Sequence, residues 1–117
     1  MGALLLSGST NGQPIKVAAT STPGTTVHTA ITGTTMMDHI HLWATNTDTS
    51  ARTLTIEFGG VTDPDNLITK AYSIPLSSKP IKILDGQPLN NAKVLSAFAS
   101  SANKIVLTGY ALRVKNG

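Results

Sequence analysis

The segment Asp38-His-Ile-His-Leu-Trp-Ala-Thr45 carries the clearest structural pattern in the chain. Successive side chains of a β-strand point to opposite faces, so its alternation predicts a strand with three aliphatic residues on one face. His39, His41 and Trp43 share the other face with Thr45. We expect the aliphatic face to join a core, and the second face to be a polar surface buried against another chain.

A second alternating segment, Arg52–Phe58, follows a short polar loop. Its large apolar residues share one face, and Thr53, Thr55 and Glu57 share the other, which we expect to face solvent. The two segments and the loop between them therefore predict a β-hairpin with one apolar and one solvated face.

Similar segments lie on both sides of this pair, and turns rich in Gly, Pro, Asn and Asp separate them. The predicted strands are 15–20, 25–31, 67–74, 79–84, 93–99 and 104–114. The last is apolar on both faces, which is typical of a central strand or of one covered by another subunit, and we expect it to form a closing hairpin with 93–99. Asp85–Pro88 reads as a turn, and Leu89–Ala99 is the one place where a helix competes.

This pattern predicts an all-β chain, a single β-sandwich of about seven or eight short antiparallel strands, with a small distorted barrel as the alternative. A length of 117 residues suits one domain. We expect residues 15–117 to form the sandwich and residues 1–14 to form an extended N-terminal arm.

The arm combines three consecutive leucines with a flexible polar tether. Leu4, Leu5 and Leu6 would be an exposed apolar patch on a monomer, so we expect them to dock on a partner. The alternative is that Leu4–Leu6 belong to a first strand in the core. The apolar run is too short for a signal peptide and has no basic residue before it, so we expect synthesis in the cytoplasm.

The composition excludes several classes of protein. Hydrophobic residues make up 40% of the chain and charged residues 13%, which excludes a charge-driven disordered chain and a coiled coil. No apolar run approaches the length of a membrane-spanning helix, and there is no cysteine for a disulfide or a zinc–thiolate site. The net charge is +3, but the cations are spread along the chain and aromatic residues are few, so nucleic-acid binding is not favoured.

The sequence offers few groups for chemistry. His39 and His41 project to one side of a strand, as metal ligands can, with His28 upstream. Asp38 points to the opposite face, so we favour an interface and predict no metal. Glu57 is the only Glu, and neither a nucleophile elbow nor a phosphate-binding loop is present, so we predict no enzymatic activity and no cofactor.

Several segments resemble those of head decoration (cement) proteins of tailed bacteriophages and of related small virion structural proteins. The likeness covers nearly the whole chain and runs through 13–17, 25–30, 42–48, 54–60, 63–67, 89–91, 97–99 and 109–110. It implies a β-sandwich subunit, a homotrimer, that binds the major capsid protein shell on the outer surface of an icosahedral head. It also implies a protein made in the bacterial host's cytoplasm and located in the virion, with no catalytic residue.

Two functions follow as expectations. The first is a virion structural protein whose interface includes Leu4, Leu5, Leu6, His39, His41 and Trp43. The second is a carbohydrate-binding or adhesin-like module of a tail or fibre, which needs aromatic platforms. Trp43, Tyr72 and Tyr110 are the aromatic residues best suited to this purpose, and we expect them on separate strands, which disfavours the second function.

Overall fold

A computed structural model describes residues 2–76 and 79–117 of the chain; Met1, the first residue of the predicted arm, lies outside them. Within these ranges every regular element is a β-strand, and no helix is long and apolar enough to cross a membrane. The strands are β1 (Gly2–Leu5), β2 (Ile15–Lys16), β3 (Thr25–Thr29), β4 (Met36–Asn46), β5 (Arg52–Phe58), β6 (Leu67–Ile74), β7 (Ile81–Leu89), β8 (Val94–Ala99) and β9 (Ile105–Lys115).

The strands form two antiparallel sheets that pack face to face. In the five-stranded sheet, β1 and β2 pair with successive parts of one side of β9, and β4 and β7 follow on its other side. The four-stranded sheet has the order β3-β8-β5-β6. The prediction of an all-β sandwich is therefore confirmed, and neither sheet closes into a barrel.

The predicted hairpin of 38–45 with 52–58 is wrong. The core faces are as expected, because Ile40 and Leu42 of β4 and Leu54 and Ile56 of β5 are fully buried. However, β4 pairs with β7 and β9, whereas β5 pairs with β6 and β8. Two apolar rows bury more area facing each other across a core than lying side by side in one sheet, so the loop between them crosses from sheet to sheet.

Asn46 stabilises this crossing from a fully buried position at the end of β4. Its side-chain amide donates hydrogen bonds to the carbonyl oxygens of Ser50 (2.9 Å) and Ile74 (3.0 Å), and its side-chain oxygen accepts one from the Asp48 N–H (2.9 Å). The amide thereby takes the place of the backbone partners that a tight hairpin would supply.

The closing hairpin predicted for the last two segments is also wrong, because β8 and β9 belong to different sheets. The central position predicted for 104–114 is confirmed, since β9 lies between β1 and β4. Gly109 allows β4 to lie close to β9, because a Cβ at this position would clash with the carbonyl oxygen of His41.

β7 is longer than predicted, and no turn interrupts it at Asp85–Pro88. The ladder between β4 and β7 shifts register twice, between Ile40 and His41 and between Leu42 and Trp43. Gly86 has a φ of +90°, a conformation that side chains disfavour, and it supplies the extra residue of the first bulge. The competing helix at Leu89–Ala99 is not formed, because β8 occupies Val94–Ala99.

The N-terminal segment is part of the sandwich, so the prediction of a free arm fails for residues 2–6. β1 pairs with β9 from Gly2↔Arg113 to Leu5↔Tyr110. Leu6 is 1% exposed in the core, Leu4 packs against the core, and Leu5 points outward and is 53% exposed. The alternation that we read in β4 also applies here, and it divides the three leucines between two environments.

The core lies between the two sheets and draws on strands of both. Its buried hydrophobic members are Leu6, Ile15, Val17, Val27, Ile40, Leu42, Ala44, Leu54, Ile56, Ile74, Leu84, Leu95, Ala97, Ala99, Ile105, Leu107 and Ala111.

The division of the leucines gives a direct test of the N-terminal assignment. Leu6→Ala should lower the free energy of unfolding by about 2–4 kcal/mol, because it removes methyl groups from a filled core. Leu5→Ala on the adjacent, exposed position should change it by less than about 1 kcal/mol. Urea unfolding followed by Trp43 fluorescence measures both. If both substitutions changed the free energy of unfolding by the same small amount, Leu6 would not be in the core and the segment would be a free arm.

Candidate functional site

A buried ionic cluster joins the two sheets. Asp38 of β4 and His28 of β3 are 0% and 1% exposed, and His28 Nε2 lies 2.9 Å from Asp38 Oδ2. Arg113 of β9 binds both carboxylate oxygens, from Nε at 2.7 Å and from Nη2 at 3.0 Å. The Ile31 N–H donates a further bond to Oδ2 at 3.2 Å. We call Asp38, His28 and Arg113 the sheet link.

The hydrogen bonds fix the tautomer of His28. The Ser7 N–H donates to His28 Nδ1 at 2.9 Å, so Nδ1 is an acceptor and the ring proton is on Nε2, where it is donated to Asp38. Ser7 directly follows Leu6, and the link thus also holds the N-terminal segment.

Ser7, His28 and Asp38 do not form a catalytic triad. The Ser7 hydroxyl accepts a hydrogen bond from the Thr29 N–H at 2.7 Å, and it is the main-chain nitrogen of Ser7 that contacts the imidazole. A triad needs the serine hydroxyl to donate to the histidine, with the serine oxygen open to substrate. The role of this arrangement is to hold chain segments together.

The protonation of Asp38 is coupled to the integrity of the sheet link. Burial is the largest single influence and opposes ionisation, but the hydrogen bonds of Arg113 and His28 and the charge of Arg113 together outweigh it, so the pKa of Asp38 lies below its ordinary value. The same pairing raises the pKa of Arg113. At neutral pH the link is therefore a carboxylate–guanidinium pair, with His28 as a hydrogen-bond donor.

His41, Trp43, Tyr110 and Leu5 lie together on the outer face of the five-stranded sheet; we call these four residues the aromatic face. The rings of His41 and Tyr110 stack with centroids 4.8 Å apart and planes 18° apart. Trp43 stacks on Tyr110 at 6.2 Å, and Leu5 is paired with Tyr110 across β1 and β9. Trp43 and Tyr110 stand on separate strands, as expected, but these strands are neighbours.

Charged groups of β7 border the aromatic face. Lys82 Nζ lies 5.1 Å from the centre of the Trp43 ring and 2.8 Å from Asp85 Oδ1. The hydrogen bond and charge of Lys82 lower the pKa of Asp85. Asp85 Oδ1 is also 3.6 Å from His41 Nδ1, too far for a hydrogen bond. Lys82 and Tyr110 approach Trp43 from the two strands that flank β4.

The other predicted interface residues lie partly on the outer face and partly in the core, because successive residues of a strand point to opposite sides. His39 is on the outer face of β4, opposite Leu112 and Pro88, and its Nε2 atom is buried with no hydrogen-bond partner. Leu4 and Leu6 face the core and leave the proposed interface. His28 is in the sheet link and does not join His39 and His41, and within residues 2–76 and 79–117 no three His, Asp or Glu side chains could hold a metal ion.

Glu57 is on the outer face of the four-stranded sheet, as the alternation predicts, but it is not solvated. It is 1% exposed because the loop before β3 folds over it. Its Oε1 accepts hydrogen bonds from the Gly24 N–H and the Ser96 hydroxyl, both at 2.7 Å, and its Oε2 accepts one from the Thr22 hydroxyl. Thr55 is buried too, and accepts a bond from the Ala71 N–H at 2.9 Å.

Sequence reasoning missed the sheet link, although one signal for it was present. Asp38 shares the parity of the core-facing Ile40 and Leu42, and a carboxylate on a core face requires a partner. The partners themselves are 10 and 75 residues away along the chain, and no local pattern marks them.

The fold and these groups define a β-sandwich protein with a buried ionic link and one aromatic outer face. Comparison with protein-family models, curated proteins and solved structures gives no match for this chain.

Replacement of Asp38 by asparagine tests the sheet link. Asp38→Asn should lower the free energy of unfolding at pH 7 by about 3–5 kcal/mol, because Arg113 and His28 lose a buried anionic partner. Asp65→Asn, a matched change at an exposed carboxylate, should have an effect below about 0.5 kcal/mol. Urea unfolding of both variants measures the difference.

The pH dependence supplies the control. A carboxyl group with a lowered pKa in the folded state stabilises the fold above its unfolded pKa of about 3.9, and this stability is lost as the pH falls through the folded value. The wild-type chain should therefore lose stability on acidification below about pH 4 more steeply than Asp38→Asn. Parallel acid profiles, or a variant as stable as the wild type at pH 7, would contradict the role of the link.

Proposed function

We propose that the chain is a structural subunit of a phage virion, a head decoration protein that binds itself and the capsid shell through its aromatic face. The observation that carries the proposal is the composition of that face. It brings Leu5, Tyr110, Trp43 and His41 from three adjacent strands onto one side of a sheet, where Leu5 is 53% and Tyr110 37% exposed. Aromatic side chains that are partly buried in a free subunit are typical anchors of protein–protein interfaces.

The position of the aromatic face supports this proposal further. The inner faces of both sheets are filled by the core, and the loop before β3 covers Glu57 on the outside of the four-stranded sheet. The five-stranded sheet instead presents its outer side chains on β1, β9 and β4. Because these side chains stand on hydrogen-bonded strands, they can bind without first ordering a flexible segment, which lowers the entropic cost of assembly.

The resemblance to head decoration proteins supports the proposed oligomeric state and location. It implies a homotrimer on the outer surface of the head, made in the bacterial cytoplasm and acting without catalysis. The buried ionisable side chains agree with a structural role, because the sheet link and Glu57 use their polar atoms in hydrogen bonds that hold the fold together.

A carbohydrate-binding module is the second candidate, and the neighbouring positions of Trp43 and Tyr110 favour it. A sugar stacks on the open face of an aromatic ring. Here the Trp43 ring is stacked against Tyr110 and has Lys82 over it, so its faces are already engaged. The geometry therefore suits contact by ring edges and by Leu5 in a protein interface better than contact with a sugar.

Charge substitutions on the aromatic face test the proposal. Leu5→Lys and Tyr110→Lys should shift the molar mass in solution from an oligomer, a trimer by the resemblance, to the monomer of 12.2 kDa, because each buries a charge in the interface. Tyr72→Lys, a matched change of an exposed tyrosine on β6, should leave the oligomer intact. Light scattering at tens of micromolar measures all three.

A wild-type chain that is monomeric at these concentrations would remove the self-association part of the proposal. Dissociation caused by Tyr72→Lys but not by Leu5→Lys or Tyr110→Lys would place the interface on the other sheet, and equal dissociation by all three variants would contradict an interface specific to the aromatic face. A glycan screen of the wild type separates the second candidate, because specific sugar binding abolished by Trp43→Ala would favour the carbohydrate-binding module.

A further inference from the structure

A cavity of about 230 Å³ lies on the outer side of the four-stranded sheet, away from the aromatic face. Its walls are mainly apolar and include Phe98 of β8, Leu67 and Ala71 of β6, and Val61 of the loop after β5. Glu57 and Thr22 also line it. A cavity of roughly 150 Å³ holds benzene, so this one has room for a short alkyl chain with a polar end.

Glu57 is the unusual member of this lining, because its carboxylate has no cationic partner among the described residues. Its three hydrogen-bond donors, Thr22, Gly24 and Ser96, are all neutral. No lysine, arginine or histidine in the described ranges 2–76 and 79–117 is within ion-pair distance of it. Buried carboxylates are ordinarily paired with a cation, as Asp38 is with Arg113.

The mouth of the cavity carries the remaining charges. Lys70 Nζ binds Asp63 Oδ2 at 2.7 Å, and these two side chains are 67% and 53% exposed. The lining therefore holds two carboxylates and one ammonium, an excess of one negative charge on a protein whose net charge is +3. Glu57, which is 1% exposed, lies deep, and the Lys70–Asp63 pair lies where a ligand would enter.

We infer that this cavity binds a primary alkylammonium group, with its apolar stem against Phe98, Val61 and Leu67 and its charge compensating Glu57. A carboxylate oxygen accepts two hydrogen bonds readily, and within residues 2–76 and 79–117 the Thr22 hydroxyl is the one partner of Oε2, so that oxygen can accept another from an ammonium. This chemistry is carried by a lysine side chain of another protein and by free aliphatic amines. The inference does not depend on the proposed function, because the cavity and the aromatic face lie on different sheets.

The test is a titration of the full chain at pH 7 with n-butylammonium chloride, with butan-1-ol and sodium butyrate as neutral and anionic controls. Two-dimensional NMR of the backbone amides should show shifts confined to Gly24, Val61, Ala71 and their neighbours. Butylammonium should bind at least about tenfold more tightly than butan-1-ol, because it adds a charge-assisted hydrogen bond to the same apolar contact, and butyrate should not bind.

Two variants test whether the affinity for butylammonium depends on the charges that line the cavity. Glu57→Gln should abolish the preference for butylammonium over butan-1-ol. Because this change also disturbs the bonds to Gly24 and Thr22, Lys70→Gln provides a second variant that leaves them intact. It removes the competing cation at Asp63 and should raise the affinity for butylammonium about two- to fivefold. Lys115→Gln, the same charge change at the end of β9, should leave the affinity unchanged.

Two further ligands distinguish the source of the ammonium. Binding of Nα-acetyl-lysine N-methylamide as tight as that of butylammonium indicates a protein side chain as the natural occupant. Exclusion of this ligand together with tight binding of pentane-1,5-diamine indicates a free polyamine. Equal affinities for butylammonium and butan-1-ol, an unchanged affinity in Lys70→Gln, or an absence of shifts at the cavity would overturn the inference.

Discussion

The hydrogen-bonded pairing of the Asp38 carboxylate with His28 and Arg113 is the constraint on which this sandwich depends. The chain has no disulfide, and the apolar contacts of its aliphatic core have no directional preference that would by itself resist small shifts of one sheet on the other. The carboxylate receives four hydrogen bonds, and their donors come from β3, β9 and the loop before β4. Directional bonds in a buried setting tolerate such shifts poorly, so they fix how the two sheets lie.

The outer faces of the two sheets differ in how other parts of the chain cover them. The loop before β3 folds over the four-stranded sheet and is held there by hydrogen bonds to Glu57, which also lines a small cavity. On the five-stranded sheet, β1 extends the outer surface with the outward-facing Leu5 beside Tyr110, and both side chains are exposed. The fold thus separates the aromatic face, for which we propose protein contact, from the cavity, for which we propose an alkylammonium ligand.

The alternation of residues predicted the core-facing side of each strand but not the partner of that strand. In β4 and β5 it identified the buried aliphatic residues, yet both neighbouring pairs of segments that looked like hairpins cross between the sheets. Pairing depends on long-range packing and on Asn46, whose buried bonds no local pattern reveals. The environments of Leu4–Leu6 were likewise not predictable from the sequence alone, because three apolar residues in a row do not indicate that the middle one points outward. Of the four residues of the aromatic face, Leu5, His41 and Trp43 were already candidate interface residues in the sequence, whereas Tyr110 joins them because β9 pairs with both β1 and β4.

The most direct test of this account is a double-mutant cycle between the sheets, with Asp38→Asn, His28→Gln and the double variant compared by urea unfolding at pH 7. The account predicts a coupling energy of about 1–3 kcal/mol, because either single substitution already breaks the hydrogen bond between His28 Nε2 and Asp38 Oδ2. Additive effects, with no coupling between Asp38 and His28, would contradict the claim that this bond holds the two sheets together.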